Sequence, residues 1–132
     1  MAIGERPKIL LIDDDERFLE VTERRLGPRE FKVATAQSWV DAIPHLREPP
    51  DLVLLDVRMV SLSGARLCSL IKERHPHTAV VFYSSEPEAS LRALTFEHGA
   101  DGYLSKSADR AELVGCISAT LRARAGKKAP PR

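Results

Sequence analysis

The sequence has little of what marks secreted, membrane-spanning or nucleic-acid-binding proteins. Two cysteines in 132 residues, Cys68 and Cys116, cannot build a disulfide framework, so we expect both to be reduced. The longest unbroken apolar run is five residues, 79–83, whereas a membrane-spanning helix needs about 20. No charged-then-apolar leader opens the sequence, and the net charge of +1 lacks the basic excess of nucleic-acid binders. We therefore expect a cytoplasmic protein that neither enters a membrane nor binds nucleic acid directly.

Apolar residues make up 43% of the sequence, which is enough for the core of one domain. The small net charge hides an uneven distribution. Residues 122–132 contain five basic residues and no acid, which leaves 15 basic and 19 acidic residues in 1–121. We expect one domain over residues 1–121, followed by a basic, proline-containing tail or linker over 122–132.

Short apolar runs alternate five times with segments of helical periodicity. Unbroken apolar runs are typical of strands that are covered on both faces. The pattern therefore predicts an α/β domain with a parallel sheet and helices on both sides. The predicted strands are 9–12, 31–35, 52–55, 79–83 and 102–105. The predicted helices are 16–26, a second one that Ser38 can cap, 65–74, 88–97 and about 108–124. Pro44 lies inside the second of these helices and predicts a kink or a late start there.

Four of the predicted strands end in a charged or hydroxyl side chain. Asp13 and Asp14 follow the first strand, Asp56 the third, Ser84 the fourth and Lys106 the fifth. Functional sites of such sheets form at the carboxyl ends of the strands, so these groups should converge. Three close carboxylates repel one another unless a divalent cation or the lysine compensates them. Such a site suits phosphoryl transfer to a carboxylate, which forms an aspartyl phosphate.

Each of these residues, taken alone, also fits a purely structural role. Acids after the first strand are favoured at a helix N-terminus. Asp56 alone is better explained as a turn residue, Ser84 as a loop cap and Lys106 as a surface lysine. The functional interpretation depends on finding all of them together, at the ends of the first, third, fourth and fifth strands.

Three segments carry a resemblance to a known family: ILLIDDD at 9–15, PDLVLLDVRM at 50–59 with Gly64 eight residues after Asp56, and GADGYLSK at 99–106. The chain resembles the response-regulator receiver domains of bacterial two-component signalling, over about residues 8–121. The resemblance implies the flavodoxin-like receiver fold, an α/β domain whose five-stranded parallel sheet has the order 2-1-3-4-5.

The resemblance also implies a role for each acidic residue of the site. Asp56 corresponds to the phosphoacceptor, which takes a phosphoryl group from a histidine of a sensor kinase or of a histidine phosphotransfer protein. Asp14 and Asp56 correspond to direct ligands of Mg²⁺, and Asp13 acts through water. The main-chain carbonyl of Arg58 would supply a further metal ligand.

Three other residues correspond to the family's switch. Ser84 matches the hydroxyl that moves to the phosphoryl group, and Lys106 matches the cation that pairs with it. Tyr103 is similar to the aromatic residue that turns inward when the hydroxyl moves. The surface of the fourth helix, fifth strand and fifth helix would then change, to be read by a protein partner, by an output domain or by a second copy. The resemblance implies a signalling module with at most slow self-phosphorylation and self-dephosphorylation, rather than an enzyme.

The sequence departs from the family's pattern after two motif residues. Val60 replaces a usual proline, so we expect a more mobile loop before the third helix. Ser107 replaces the proline that follows Lys106, where the family's peptide bond is typically cis. Because a cis bond before a non-proline residue is costly, this loop either holds strain or takes a trans path.

Two further expectations concern the mouth of the site and the class of function. Arg58 and Glu86 each lie two residues past a site residue and carry opposite charges. They either pair across the mouth and slow the attack of water on phosphorylated Asp56, or remain two solvated side chains. Besides the switch, two other functions stay open: a receiver-like scaffold that needs no phosphate, and a Mg²⁺-dependent phosphatase. The second is weaker because Arg58 stands where such an enzyme needs an acid.

Overall fold

The computed structural model describes residues 5–59 and 63–128, and Val60 therefore lies outside the described residues. Five strands alternate with five helices along the described chain. In order, the elements are β1 (Lys8–Ile12), α1 (Glu16–Leu26), β2 (Lys32–Ala36), α2 (Trp39–Leu46), β3 (Leu52–Leu55), α3 (Gly64–Arg74), β4 (Ala79–Ser84), α4 (Glu88–His98), β5 (Gly102–Ser105) and α5 (Arg110–Lys128). Each predicted strand and helix is confirmed, with bounds that shift by a few residues.

The strands form one parallel sheet in the order β2-β1-β3-β4-β5, as the resemblance implied. The two central strands are in a register that pairs Ile12 of β1 with Leu55 of β3. The Asp56 N–H continues this ladder by donating to the Ile12 carbonyl at 3.0 Å. The residues that follow the two strands, Asp13 and Asp56, are therefore placed side by side at one edge of the sheet.

The core lies on both faces of the sheet. Alternate residues of each strand point to opposite faces, so Leu10 and Ile12 pack on one side while Ile9 and Leu11 pack on the other. The first side is covered by α2, α3 and α4, and the second by α1 and α5. Because both faces are buried, β3 is apolar throughout, β1 is apolar after Lys8 and β4 is apolar up to Ser84, which is the pattern that predicted these strands.

Side-chain caps begin the first three helices. The Asp15 carboxylate accepts a hydrogen bond from the Phe18 N–H at 3.1 Å, which confirms it as the N-cap of α1. Ser38 caps α2 in the same way, and that helix begins at Trp39, so the predicted late start is wrong. Pro44 lies inside α2, which ends two residues later at Leu46.

The last helix is longer than the sequence suggested. It begins at Arg110 rather than at residue 108, because the preceding residues form a turn closed by the Ala108 N–H on the Ser105 carbonyl at 3.0 Å. It continues to Lys128, so residues 122–128 are helical. Arg124 secures this extension by bonding to the Asp101 carboxylate and to the Pro76 carbonyl. Within the ranges 5–59 and 63–128, none of the helices is long and apolar enough to cross a membrane.

Candidate functional site

Three carboxylates converge at the carboxyl edge of the sheet. Asp13 follows β1, Asp14 comes next in the chain, and Asp56 follows β3. Each offers an oxygen atom that lies within 4.8 Å of those of the other two. Asp13 and Asp56 are only 4% and 6% exposed, whereas Asp14 faces solvent. The structure thus brings together the acidic residues that the sequence predicted as one cluster.

Lys106 extends from the end of β5 to the two buried carboxylates. Its Nζ lies 2.6 Å from Asp13 Oδ2 and 3.6 Å from Asp56 Oδ2. The side chain is 18% exposed, so the ion pair is only partly screened by water. The ammonium thus lies between the two buried carboxylates.

The pKa of the Asp56 carboxyl reflects its burial and its charged neighbours. Burial raises the pKa of this carboxyl above its ordinary value of 3.8, and the nearby Asp13 carboxylate raises it further. Lys106 and the Arg58 N–H, which donates to Asp56 Oδ1 at 3.3 Å, oppose the rise without cancelling it. A cluster of three carboxylates that is exposed to solvent at Asp14 fits a hard divalent cation that keeps part of its water shell.

Asp13 and Asp56 are held in place by their local chain. Asp13 Oδ1 accepts the Asp15 N–H at 2.9 Å, so the turn into α1 orients this carboxylate. Gly64 lies directly against the main chain of Asp56, because a Cβ on it would stand 1.8 Å from the Asp56 carbonyl oxygen. The Gly64 N–H also donates to the Val57 carbonyl at 2.8 Å. Only glycine fits at this position, which explains its spacing from Asp56 in the motif.

Ser84 ends β4 on the same edge and is buried. Its hydroxyl oxygen accepts a hydrogen bond from the Glu86 N–H at 3.2 Å. Its carbonyl accepts the Lys106 N–H at 2.9 Å, which fixes the end of β5 beside it. The predicted switch hydroxyl and the predicted cation are therefore connected through the main chain.

The peptide bond after Lys106 is trans, since no cis bond occurs within 5–59 and 63–128. Of the two alternatives left open by the missing proline, the chain takes the trans path. Ser105 Oγ lies 2.8 Å from Ser107 Oγ and accepts the Ser107 N–H at 3.1 Å. Together with the Ala108 N–H bond to the Ser105 carbonyl, these contacts close a turn around Lys106.

Tyr103 lies away from the carboxylates, at the surface between β5 and α4. Its hydroxyl donates to Glu88 Oε2 at 3.1 Å, and Arg92 Nε donates to the hydroxyl at 3.4 Å. Arg92 also bonds to Glu88, one helical turn before it, at 3.1 Å. Sequence reasoning missed Glu88 and Arg92, although their spacing of four residues on a predicted helix is a signal for an ion pair.

Arg58 and Glu86 form an ion pair, as the sequence predicted. Arg58 Nε contacts Glu86 Oε2, with the arginine side chain 80% exposed and the glutamate 17% exposed. The Glu86 side chain is thus mostly buried, and the exposed Arg58 side chain reaches it from the segment that follows Asp56. The alternative of two separate solvated side chains is wrong.

Comparison with known proteins agrees with this arrangement. The family described as response regulator receiver domain matches residues 9–118. The chain belongs to this receiver family. The transcriptional regulatory protein PrrA of Mycobacterium tuberculosis is 34% identical over 119 residues, which cover 89% of this chain and 51% of PrrA. CpxR of Escherichia coli is 35% identical over 115 residues, which cover 87% of this chain and 49% of CpxR.

Solved structures give the same fold. The signal receiver domain of an HD domain-containing protein from Pseudomonas fluorescens superposes with a TM-score of 0.87 at 25% identity, covering 99% of this receiver and 98% of that chain. The BeF3-activated receiver domain of DrrB has a TM-score of 0.80 at 28% identity and covers 89% of this receiver and 99% of that chain. The receiver spans about half the length of the curated relatives that it matches, which are transcriptional regulators.

Proposed function

We propose that this receiver is a phosphorylation-dependent signalling switch in the cytoplasm. Asp56 accepts a phosphoryl group from a histidine of a sensor kinase or of a phosphotransfer protein. The observation that carries the proposal is the position of Asp56 in a cluster of three carboxylates, with the Lys106 ammonium 3.6 Å away. The similarity to a receiver solved in a BeF3-activated form supports it.

The chemistry is a displacement at phosphorus. A carboxylate oxygen of Asp56 attacks the phosphoryl group, the bond between phosphorus and the donor nitrogen breaks, and an acyl phosphate forms. The histidine ring leaves with the electron pair and takes up a proton. Asp13, Asp14, Asp56 and the Arg58 carbonyl are the groups that would hold Mg²⁺, which supplies positive charge against the negative charge that builds up on the transferring oxygens.

Phosphorylation would change the contacts of the neighbouring groups. The phosphoryl group brings about two negative charges and strong acceptor oxygens to Asp56. Ser84 would leave the Glu86 N–H to donate its hydroxyl hydrogen to the phosphoryl group, and Lys106 would shift from Asp13 toward it. Tyr103 would leave Glu88 and occupy the volume beside Ser84.

The surface formed by α4, β5 and α5 would be the output of the switch. Tyr103, Glu88 and Arg92 lie on it, so movement of Tyr103 alters both its shape and its charge. A protein partner, an output domain or a second copy of the receiver would read the change. The relatives are transcriptional regulators about twice as long, which supports an output domain as the reader.

The test is the intact mass of the protein after incubation with Mg²⁺ and acetyl phosphate. We expect a gain of one phosphoryl group that requires Mg²⁺ and is absent in Asp56→Ala. Asp41→Ala, which removes an exposed carboxylate on α2, should gain the group normally. No gain in the wild type would favour the scaffold, and rapid multiple turnover of the donor would favour the phosphatase.

A further inference from the structure

We infer that Phe18 is a positioning residue, whose ring holds the Lys106 ammonium between the two buried carboxylates. This inference deepens the proposed function and rests on it, because it concerns the cation that would pair with phosphorylated Asp56. Phe18 lies in the first turn of α1, far from Lys106 in the sequence.

The contact between the two side chains has the geometry of a cation–π interaction. Lys106 Nζ lies 4.2 Å from the centroid of the Phe18 ring, well inside the distance of about 6 Å over which such contacts attract. The attraction is stronger when the cation is removed from water, and Lys106 is mostly buried. Three neighbours therefore surround the ammonium: the Asp13 carboxylate, the Asp56 carboxylate and the aromatic ring.

The orientation of Phe18 is fixed from two sides. Its N–H donates to the Asp15 carboxylate that caps α1, which sets the main chain. Its ring packs against Tyr83 of β4, with centroids 5.2 Å apart and planes at 53°. Tyr83 is buried in the core below, so the ring of Phe18 is supported by a rigid partner. A ring supported in this way is suited to holding the Lys106 ammonium.

Lys106 needs such a contact because its long side chain has two competing partners. Its main chain is fixed by the turn of Ser105, Ser107 and Ala108 rather than by a proline. The ammonium lies nearer to Asp13 than to Asp56. The ring is neutral and attracts the cation without favouring either carboxylate. It therefore keeps Lys106 close to both, so that the ammonium can pass from Asp13 to the phosphorylated Asp56.

The first test measures phosphorylation by acetyl phosphate in Mg²⁺ for Phe18→Leu, Phe18→Tyr and Phe31→Leu. Phe31→Leu makes the same change in the same core cluster, but Phe31 precedes β2 and so lies at the opposite end of the sheet from Lys106, which follows β5. We expect Phe18→Leu to be slower by about threefold to tenfold, in line with the loss of a partly desolvated cation–π contact. Phe18→Tyr, which keeps the ring, should stay near the wild-type rate, as should Phe31→Leu. A Phe18→Leu rate equal to that of the wild type, or a Phe18→Tyr rate as low as that of Phe18→Leu, would overturn the inference.

A second test does not depend on phosphorylation. Urea unfolding of Phe18→Leu, Lys106→Met and the double variant measures whether the two side chains interact. Phe18→Leu should lower the folding equilibrium constant by some factor in the wild-type background. We expect that factor to be about three times smaller in the Lys106→Met background. Equal effects in both backgrounds would overturn the inference. If the wild type gains no phosphoryl group, the proposed function fails, and this second test still decides whether Phe18 holds Lys106.

Discussion

Lys106 pairs with Asp13 at 2.6 Å and with Asp56 only at 3.6 Å. The Lys106 ammonium is therefore held mainly by Asp13 rather than by Asp56, the proposed phosphoacceptor. Asp13 thus acts as a resting partner for Lys106. This arrangement stabilises the cluster before phosphorylation, because each buried carboxylate has one positive group within reach.

Replacing Lys106 by methionine should destabilise the protein when no divalent cation is present. The variant leaves Asp13 and Asp56 without their counter-ion, so we expect a loss of about 2–3 kcal/mol, somewhat below the range for fully buried pairs. Urea unfolding with and without Mg²⁺ measures it, and added Mg²⁺ should recover part of the loss by supplying positive charge. Lys32→Met on the exposed edge strand is the control and should change little. Equal stability of wild type and Lys106→Met would contradict the prediction.

Replacing Asp56 by asparagine should stabilise the protein at neutral pH in the absence of metal. The pKa of Asp56 is raised in the folded state by burial and by Asp13, so its ionisation opposes folding. Stability should fall as the pH rises from the ordinary carboxyl pKa of 3.8 through the folded-state value. The variant has no carboxyl at this position and should not show this fall in stability. The fall amounts to about 1.4 kcal/mol for each tenfold difference in the proton affinity of Asp56 between the folded and unfolded states.

The measurement is urea unfolding of both proteins across the acid and neutral range, with a chelator present. The two stabilities should converge at low pH, where Asp56 is protonated in both states. With Mg²⁺ added, the wild type should gain more than the variant, because Asp56 is one of the three acidic groups that could bind the ion. A variant less stable than the wild type at neutral pH without metal would show that the pairing with Lys106 outweighs the repulsion.

Much of the fold and the site could be predicted from the sequence, for reasons that are local. Strands buried on both faces must be apolar throughout, so β1, β3 and β4 were visible as unbroken runs. Each of these runs ends at a polar residue on the carboxyl edge of the sheet, and those residues form the site. The order of the strands in the sheet could not be predicted in this way, because an apolar pattern identifies strands but does not show which of them are neighbours. That order came from the family resemblance.

The contacts that the sequence could not predict join residues that are distant in the chain. The Phe18 ring packs against Tyr83 of β4, and Lys106 follows β5, which pairs with β4. The pairing of these two strands therefore brings the ring and the ammonium together. The helical extension of α5 was masked by its linker-like composition, and its anchor depends on how far Arg124 reaches toward Asp101. Side-chain direction and length decide these contacts, and neither is encoded in a local pattern.

Replacing Glu88 by alanine should release Tyr103 from the surface. Glu88 accepts the tyrosine hydroxyl and also holds Arg92, which bonds to the same hydroxyl. A hydrogen bond of this kind contributes about 0.5–1.5 kcal/mol, so the inward orientation should become several-fold more populated. Chemical shifts and exchange of the labelled Tyr103 ring measure the orientation. Glu97→Ala, on the same helix without a Tyr103 contact, should leave the spectrum unchanged. An unchanged ring in Glu88→Ala would contradict the prediction.

Cys68 should resist thiol reagents in the folded protein. Burial raises the pKa of its thiol to about 12. At about pH 8 the thiol is therefore almost entirely protonated, and the thiolate is the form that reacts. Burial also raises the pKa of Cys116, but this residue is only partly buried and reagents can reach it. Mass spectrometry after labelling of Cys116→Ala should show modification of Cys68 only when urea unfolds the protein. Labelling of Cys68 at the rate of an exposed thiol would disprove this.

The ion pair of Arg58 and Glu86 should lengthen the life of phosphorylated Asp56. Glu86 is mostly buried and its N–H is occupied by the Ser84 hydroxyl, while Arg58 follows Asp56 closely and reaches across to the Glu86 carboxylate. The pair therefore bridges the segment that follows Asp56 and the segment that follows Ser84. Water that approaches the phosphoryl group between these two segments would meet the pair, so the pair narrows that route.

The half-life of the phosphorylated protein, measured after removal of the donor, tests this role in Arg58→Ala and Glu86→Ala. We expect it to shorten by up to about fivefold in both, since an ion pair with one exposed member contributes up to about 1 kcal/mol. Arg58→Lys keeps the charge and should fall between the wild type and Arg58→Ala. A double variant should decay no faster than either single one, because each already removes the whole pair. Lifetimes equal to that of the wild type in both single variants would show that the pair leaves the path of water open.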